Sequence, residues 1–223
     1  MICSKKNNFL FIAVAKSGTV SIENYICDSL LGKFNILRNN YIYSNDEFKN
    51  IYWSSKQRDR CKYKLHKHSR FSEILQTPYA WDDQYKFAFV RNPYDRVVSW
   101  YCFLSQILTS KQIQEMETNN NRPGFITGSF INFCRTAPFW VFNNQFFHLC
   151  DEEENIKMDF IGRYENLNED FKFVCSKIEI PQVELPYKNK TNHNHYAEYY
   201  NDETRNIVET KYAKDIEYFK YKF

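Results

Sequence analysis

The sequence predicts an α/β fold built on a mainly parallel sheet, and three observations lead to it. Apolar runs recur that are too short for helices. Each of them stops abruptly in a polar turn. A helical apolar stripe then follows within a few residues, so the order strand, turn, helix repeats along the chain.

The first unit is "NFLFIAVAKSGTVSIENYICDSLLG". Phe9 to Val14 is the strand, "AKSG" the turn, and Ile22, Tyr25, Ile26 and Leu30 share one helical face, with Gly32 at the C′ position. Residues 33–65 hold short aromatic-rich pieces, with a second strand expected near Phe34 to Leu37. Ser69 to Leu75 forms a short helix with Ser69 as N-cap. Phe87 to Val90 is the next buried parallel strand. Asn92 caps the helix after it, Pro93 takes its first position and Asp95 its first turn. Val97, Val98, Tyr101, Leu104, Ser105 and Leu108 make the buried stripe of that helix. Thr118 to Gly124 is loop, Ile126 to Cys134 is helical, and the Phe-rich run 139–149 fits either strand or helix. Met158 to Gly162 is a third core strand, followed by a helix from Leu167 to Ile178. Pro181 to Asn194 is an extended loop. A last helix starts near Asn201 and packs Val208, Tyr212, Ile216 and Phe219. No repeat or linker divides the chain, so residues 1–223 are expected to form a single domain.

Composition narrows the function. The net charge of +3 is too small to indicate nucleic-acid binding by overall electrostatics. Locally, "KQRDRCKYKLHKHSR" (56–70) sets many cations and two histidines against a single acid, Asp59. That run is either a solvated face or a rim that attracts an anionic ligand. The seven cysteines form no CxxC pair, a pattern that fits reduced thiols and a cytoplasmic location better than a disulfide framework. No apolar run approaches the ~18 residues of a membrane span. No carboxylate or cysteine cluster accompanies His66/His68 or His193/His195, so no metal site is expected.

In a parallel sheet, ligands bind where strand ends meet helix N-termini. Two turns here carry suitable chemistry. In "AKSGTVS" (15–21), Gly18 permits close backbone approach, the new helix offers unpaired N–H groups, Lys16 brings charge, and Thr19 and Ser21 bring hydroxyls. The glycine and lysine order differs from a Walker A loop. In "KFAFVRNPYDRVVSWY" (86–101), Arg91 leaves a strand beside a helix N-terminus, where it can either fork onto an anion or pair with Asp95. Together the turns point to a ligand with two separated anionic groups.

"FIAVAKSGTVSI" resembles the 5′-phosphosulfate loop of sulfotransferases, whose usual form is PKTGTTS or PKTGGTS after a strand. "FAFVRNPYDRVVSWY" is similar to the 3′-phosphate motif of the same family, in which a serine follows the arginine by eight residues (Arg91 and Ser99). "WDDQYKFAFVRNPYDR", "MDFIGRYENLNEDF" and the tail "LPYKNKTNHNHYAEYYNDETRNIVETKYAKDIEYFKYKF" resemble the carbohydrate branch, which contains the heparan and chondroitin sulfotransferases. The likeness runs from Phe9 to Phe223, though residues 33–60 and 108–140 contribute little. Two departures stand out: Ala15 replaces the proline before the lysine, and Val20 replaces the usual second threonine or glycine.

This resemblance implies a three-layer, P-loop-like sulfotransferase fold and a PAPS (3′-phosphoadenosine-5′-phosphosulfate) donor, with PAP as product. It implies that Lys16, Ser17, Gly18, Thr19, Val20 and Ser21 hold the phosphosulfate. Arg91 and Ser99 would hold the 3′-phosphate, Tyr164 would lie near adenine, and Lys188, Lys190 and Thr191 would close over the nucleotide. Lys16 would also neutralise the leaving group. Relatives in this branch show a Lys-His pair before a short helix, which favours His68 over His66 as the base, and an imidazole titrates in the right range for that role. The acceptor would be a hydroxyl of a glycan, with Asn143, Gln145 and His148 in the region lining its cleft. An ATP-dependent kinase and a non-catalytic nucleotide- or glycan-binding module of the same fold are the alternatives. Oligomeric state cannot be read from the sequence.

Overall fold

The computed structural model describes residues 1–31, 51–53, 65, 67–119, 125–182, 184–185 and 193–223. Two compact units are resolved: Met1–Val90 with Phe147–Lys188, and Arg91–Phe146 with Asn189–Phe223. Gly32, the strand expected near Phe34 to Leu37, most of the basic run 56–70 including His66, residues 120–124 of the expected loop, Lys188, Lys190 and Thr191 lie outside the described residues, while Thr118 and Asn119 end a helix rather than open the loop.

The first unit contains the sheet. Its strands are β1 (Ile2–Ser4), β2 (Phe9–Ile12), β3 (Ile51–Trp53), β4 (Tyr85–Val90) and β5 (Phe160–Arg163), in the order β3-β1-β2-β4-β5. β2 pairs parallel with β4, and β4 with β5. β1 pairs antiparallel with both β2 and β3, so it alone runs against the other described strands. The mainly parallel sheet and α/β class are as expected. Two strands were not. β1 precedes the expected opening strand, and β3 falls in a stretch whose apolar residues show no alternation.

Helices α1 (Thr19–Leu31), α2 (Phe71–Leu75) and α7 (Leu167–Lys177) belong to this unit. Phe9, Phe11, Phe87, Phe89, Ile22, Ile26, Phe171 and Val174 are fully buried in one cluster. Phe11 and Phe87 stack across the β2–β4 pair at 5.1 Å. Burying each such ring contributes about 1.5–3 kcal/mol, so the aromatic faces of β2 and β4 anchor the sheet. The N-cap of α2 is Arg70 rather than Ser69. Glu73 at N3 reaches back and accepts the Arg70 N–H at 2.9 Å, which fixes the start one residue later.

The second unit is helical: α3 (Pro93–Ile107), α4 (Ser110–Asn119), α5 (Phe130–Thr136), α8 (Asp202–Lys211) and α9 (Ala213–Phe219), with α6 (Gln145–Leu149) starting at its edge. Asn92 caps α3 as expected, its side chain accepting the Tyr94 N–H at 3.0 Å. Val97, Val98 and Leu104 are buried, but Cys102 is buried where Ser105 was expected, and Ser105 is exposed. α5 begins later than expected because Ser129 caps it. The Phe-rich run resolves into turns followed by α6. The final helix is divided at Tyr212, a fully buried residue whose hydroxyl donates to Val141 O at 2.7 Å. Among the described residues no helix is long and apolar enough to cross a membrane.

Candidate active site

Within the first unit, β2, β4 and β5 all end along the same edge of the sheet, with Ile12 beside Ala88 and Val90 beside Arg163. The lysine turn follows β2 there. Lys16 has φ +69° and Gly18 φ +79°. A left-handed conformation costs an ordinary L-residue about 1–2 kcal/mol, so Lys16 is held under strain, as residues at functional turns often are. Ser17 is buried, and its hydroxyl donates to Val14 O at 2.7 Å, closing the turn from inside. Gly18 O accepts Ser21 N at 3.1 Å and Ile22 N at 3.3 Å, the first bonds of α1. The amides ahead of those bonds have no intrahelical acceptor. Lys16 and the positive end of α1 therefore make this turn suited to an anion. Thr19 and Ser21 are buried, while Lys16 and Val20 are half-buried.

Tyr164 opens a 3₁₀ turn just after β5. Its ring edge and Leu167 pack on Gly18 so closely that a Cβ there would lie 3.0 Å from Leu167 Cδ2 and 3.3 Å from Tyr164 Cδ2. The aromatic and the glycine turn are thus brought together. Arg163 is exposed, and its N–H donates to Asp170 at 2.6 Å.

His68 is half-buried, and its Nδ1 lies 2.6 Å from Ala13 O, at the entrance to the lysine turn. A carbonyl oxygen only accepts, so this partner assigns the proton to Nδ1 and leaves the lone pair of the neutral ring on Nε2. The preceding residue, Lys67, forms an ion pair with Glu23 of α1, which is almost fully buried. The histidine is therefore held from two sides by the strand–turn–helix unit. Glu23 was invisible to sequence reasoning, because a lone acid in an amphipathic helix reads as surface.

In the second unit, Arg91 is 5% exposed. Its Nε donates to Asp95 Oδ2 at 2.8 Å, so the ion pair weighed as the alternative to anion binding is present. Gln145 grips the arginine's backbone: Oε1 accepts Arg91 N and Nε2 donates to Arg91 O, both at 2.8 Å. Gln145 and His148, expected to line an acceptor cleft, are 0% and 4% exposed, so neither presents a surface to a glycan. Ser99 lies two turns into α3 and is buried. The described residues contain no His/Cys/Asp/Glu group able to hold a metal ion.

The family model described as "Sulfotransferase family" matches residues 1–222, across both units. The chain belongs to the sulfotransferase family. It is an enzyme of sulfuryl transfer, acting on a hydroxyl-bearing acceptor with a sulfate donor. No curated protein and no solved structure gives a significant match.

Proposed function

We propose that this sulfotransferase moves the sulfuryl group of PAPS onto a hydroxyl of a carbohydrate acceptor, within one domain of the three-layer, P-loop-like kind. The observation that carries the reading is the 2.6 Å hydrogen bond from His68 to Ala13 O. It orients a base-competent nitrogen from the same segment that leads into the lysine turn.

PAPS, when bound, supplies an activated sulfuryl group on a phosphosulfate. The chain's residues suit such an anion: the left-handed Lys16, the positive φ of Gly18 and the start of α1 form a positively polarised cradle. His68 Nε2 takes the acceptor's proton as the hydroxyl attacks. Lys16 and the first amides of α1 stabilise the charge left on the departing bridging oxygen. Tyr164, held against Gly18, borders the adenine. Arg91 and Ser99 take the 3′-phosphate, an assignment carried by the RNPYDRVVS motif. Lys188, Lys190 and Thr191 are assigned to the nucleotide from the sequence resemblance alone. The basic stretch 56–70 favours an acidic glycan. The six described cysteines are free thiols, which supports action in the cytoplasm.

Incubation with radiolabelled PAPS and a panel of glycans tests the reading directly. Lys16→Gly keeps the turn's backbone while deleting the charge, and should lower kcat by about 10²-fold or more. Greater thermal stabilisation by ATP–Mg than by PAP would instead favour a kinase.

A further inference from the structure

The peptide groups flanking Arg91 lie just past the last paired residue of β4, Val90. Backbone groups beyond a strand's last pair draw partners from outside the ladder. Gln145 fills the gap with a single side chain. A neutral carboxamide carries an acceptor and donors side by side in one plane, and here it exchanges both bonds with Arg91, as a neighbouring strand would.

That side chain is itself fixed. Asp215, 0% exposed, accepts three N–H groups: Gln145 N at 2.9 Å, Gln145 Nε2 at 3.1 Å and Phe146 N at 2.8 Å. With Oε1 on Arg91 N, and Nε2 shared between Arg91 O and Asp215, the amide has no freedom to rotate or flip.

We propose that Gln145, locked by Asp215, is a positioning residue for 3′-phosphate recognition. It acts by fixing the backbone on both sides of Arg91, and so the direction in which the guanidinium leaves the chain. The inference rests on the assignment of Arg91 to the 3′-phosphate. Gln145 touches neither donor nor acceptor in this scheme.

The test compares the affinity of the full chain for PAP with that for adenosine 5′-monophosphate, which lacks the 3′-phosphate, by calorimetry. Wild type should prefer PAP, and Arg91→Ala should abolish the preference. Gln145→Met, similar in size but without the two bonds, should cut the preference at least about tenfold while leaving the affinity for the monophosphate within about threefold. If Gln145→Met does not fold, Asp215→Asn reads the same ratio and should lower it in the same direction. An unchanged ratio in a folded Gln145 or Asp215 variant, alongside its loss in Arg91→Ala, overturns the positioning role and leaves the Arg91 assignment standing. Equal losses for both nucleotides reduce Gln145 to a structural residue and overturn it too. An unchanged ratio in Arg91→Ala overturns the assignment beneath it.

Discussion

His68 donates through Nδ1 to the carbonyl of Ala13 across 2.6 Å. The acceptor is backbone, so the tautomer depends on the path of the chain after β2 rather than on another titratable group. His68→Ala should lower kcat by about 10²–10⁴-fold, with PAP affinity nearly unchanged. Steady-state kinetics paired with PAP calorimetry checks both halves. Turnover that survives the substitution removes His68 from the mechanism.

Gly18 is expected to tolerate no side chain. Its φ of +79° already disfavours an L-residue, and the new methyl would meet Leu167 at 3.0 Å and Tyr164 at 3.3 Å. Gly18→Ala should destabilise the protein by about 1–3 kcal/mol and weaken PAP binding by displacing the Tyr164 ring. Thermal unfolding and calorimetry measure the two effects separately. A stable variant with unchanged PAP affinity would mean that the ring plays no part in the site.

Gly162 of β5 is constrained for a different reason. A Cβ there would lie 2.7 Å from Phe89 Cδ1 and 2.8 Å from Cζ, inside the ring's packing envelope. The Phe89 ring is fully buried and packs against Phe160 and Phe171, so it has little room to yield. Gly162→Ala should cost about 1–3 kcal/mol, read as a lower denaturation midpoint. Gly162→Ala combined with Phe89→Leu should recover part of that loss.

Thiol chemistry should be slow in the native state. Burial pushes Cys3, Cys27 and Cys134 up to about 12, and Cys175 up to about 11. Only the thiolate is nucleophilic, so at pH 8 these groups present almost none of the reactive form, and reactivity grows only as the pH climbs. Iodoacetamide labelling followed by peptide mapping should find these four protected until the chain is denatured. Rapid native labelling of any of them would show that its burial is transient.

Where apolar runs were continuous and met a turn, the elements were legible: β2, β4 and β5 came from such runs, and the Asn92–Pro93 start of α3 from capping chemistry. β1 was not, because three residues ending in a serine carry no periodicity and gain their meaning only from pairing with β2 and β3. The lysine turn, His68 and Arg91 were found by motif, which is local. What holds them is distant in sequence. Glu23 anchors the segment before His68 from another element, and Gln145 sits in a Phe-rich run where nothing marks it as Arg91's partner. The division of the last helix at Tyr212 was hidden for the same kind of reason, since its hydroxyl is tied to Val141 far upstream.

The contact of Gly18 with Tyr164 and Leu167 joins two stretches of chain almost 150 positions apart. Its consequence is historical as much as mechanical. Any change that enlarged the residue at 18 would need room at 164 and 167 and would still leave an L-residue at φ +79°, so the glycine should stay while those two drift as a pair. A library that randomises 164 and 167 together around Gly18 should yield working combinations that one-at-a-time replacement never reaches.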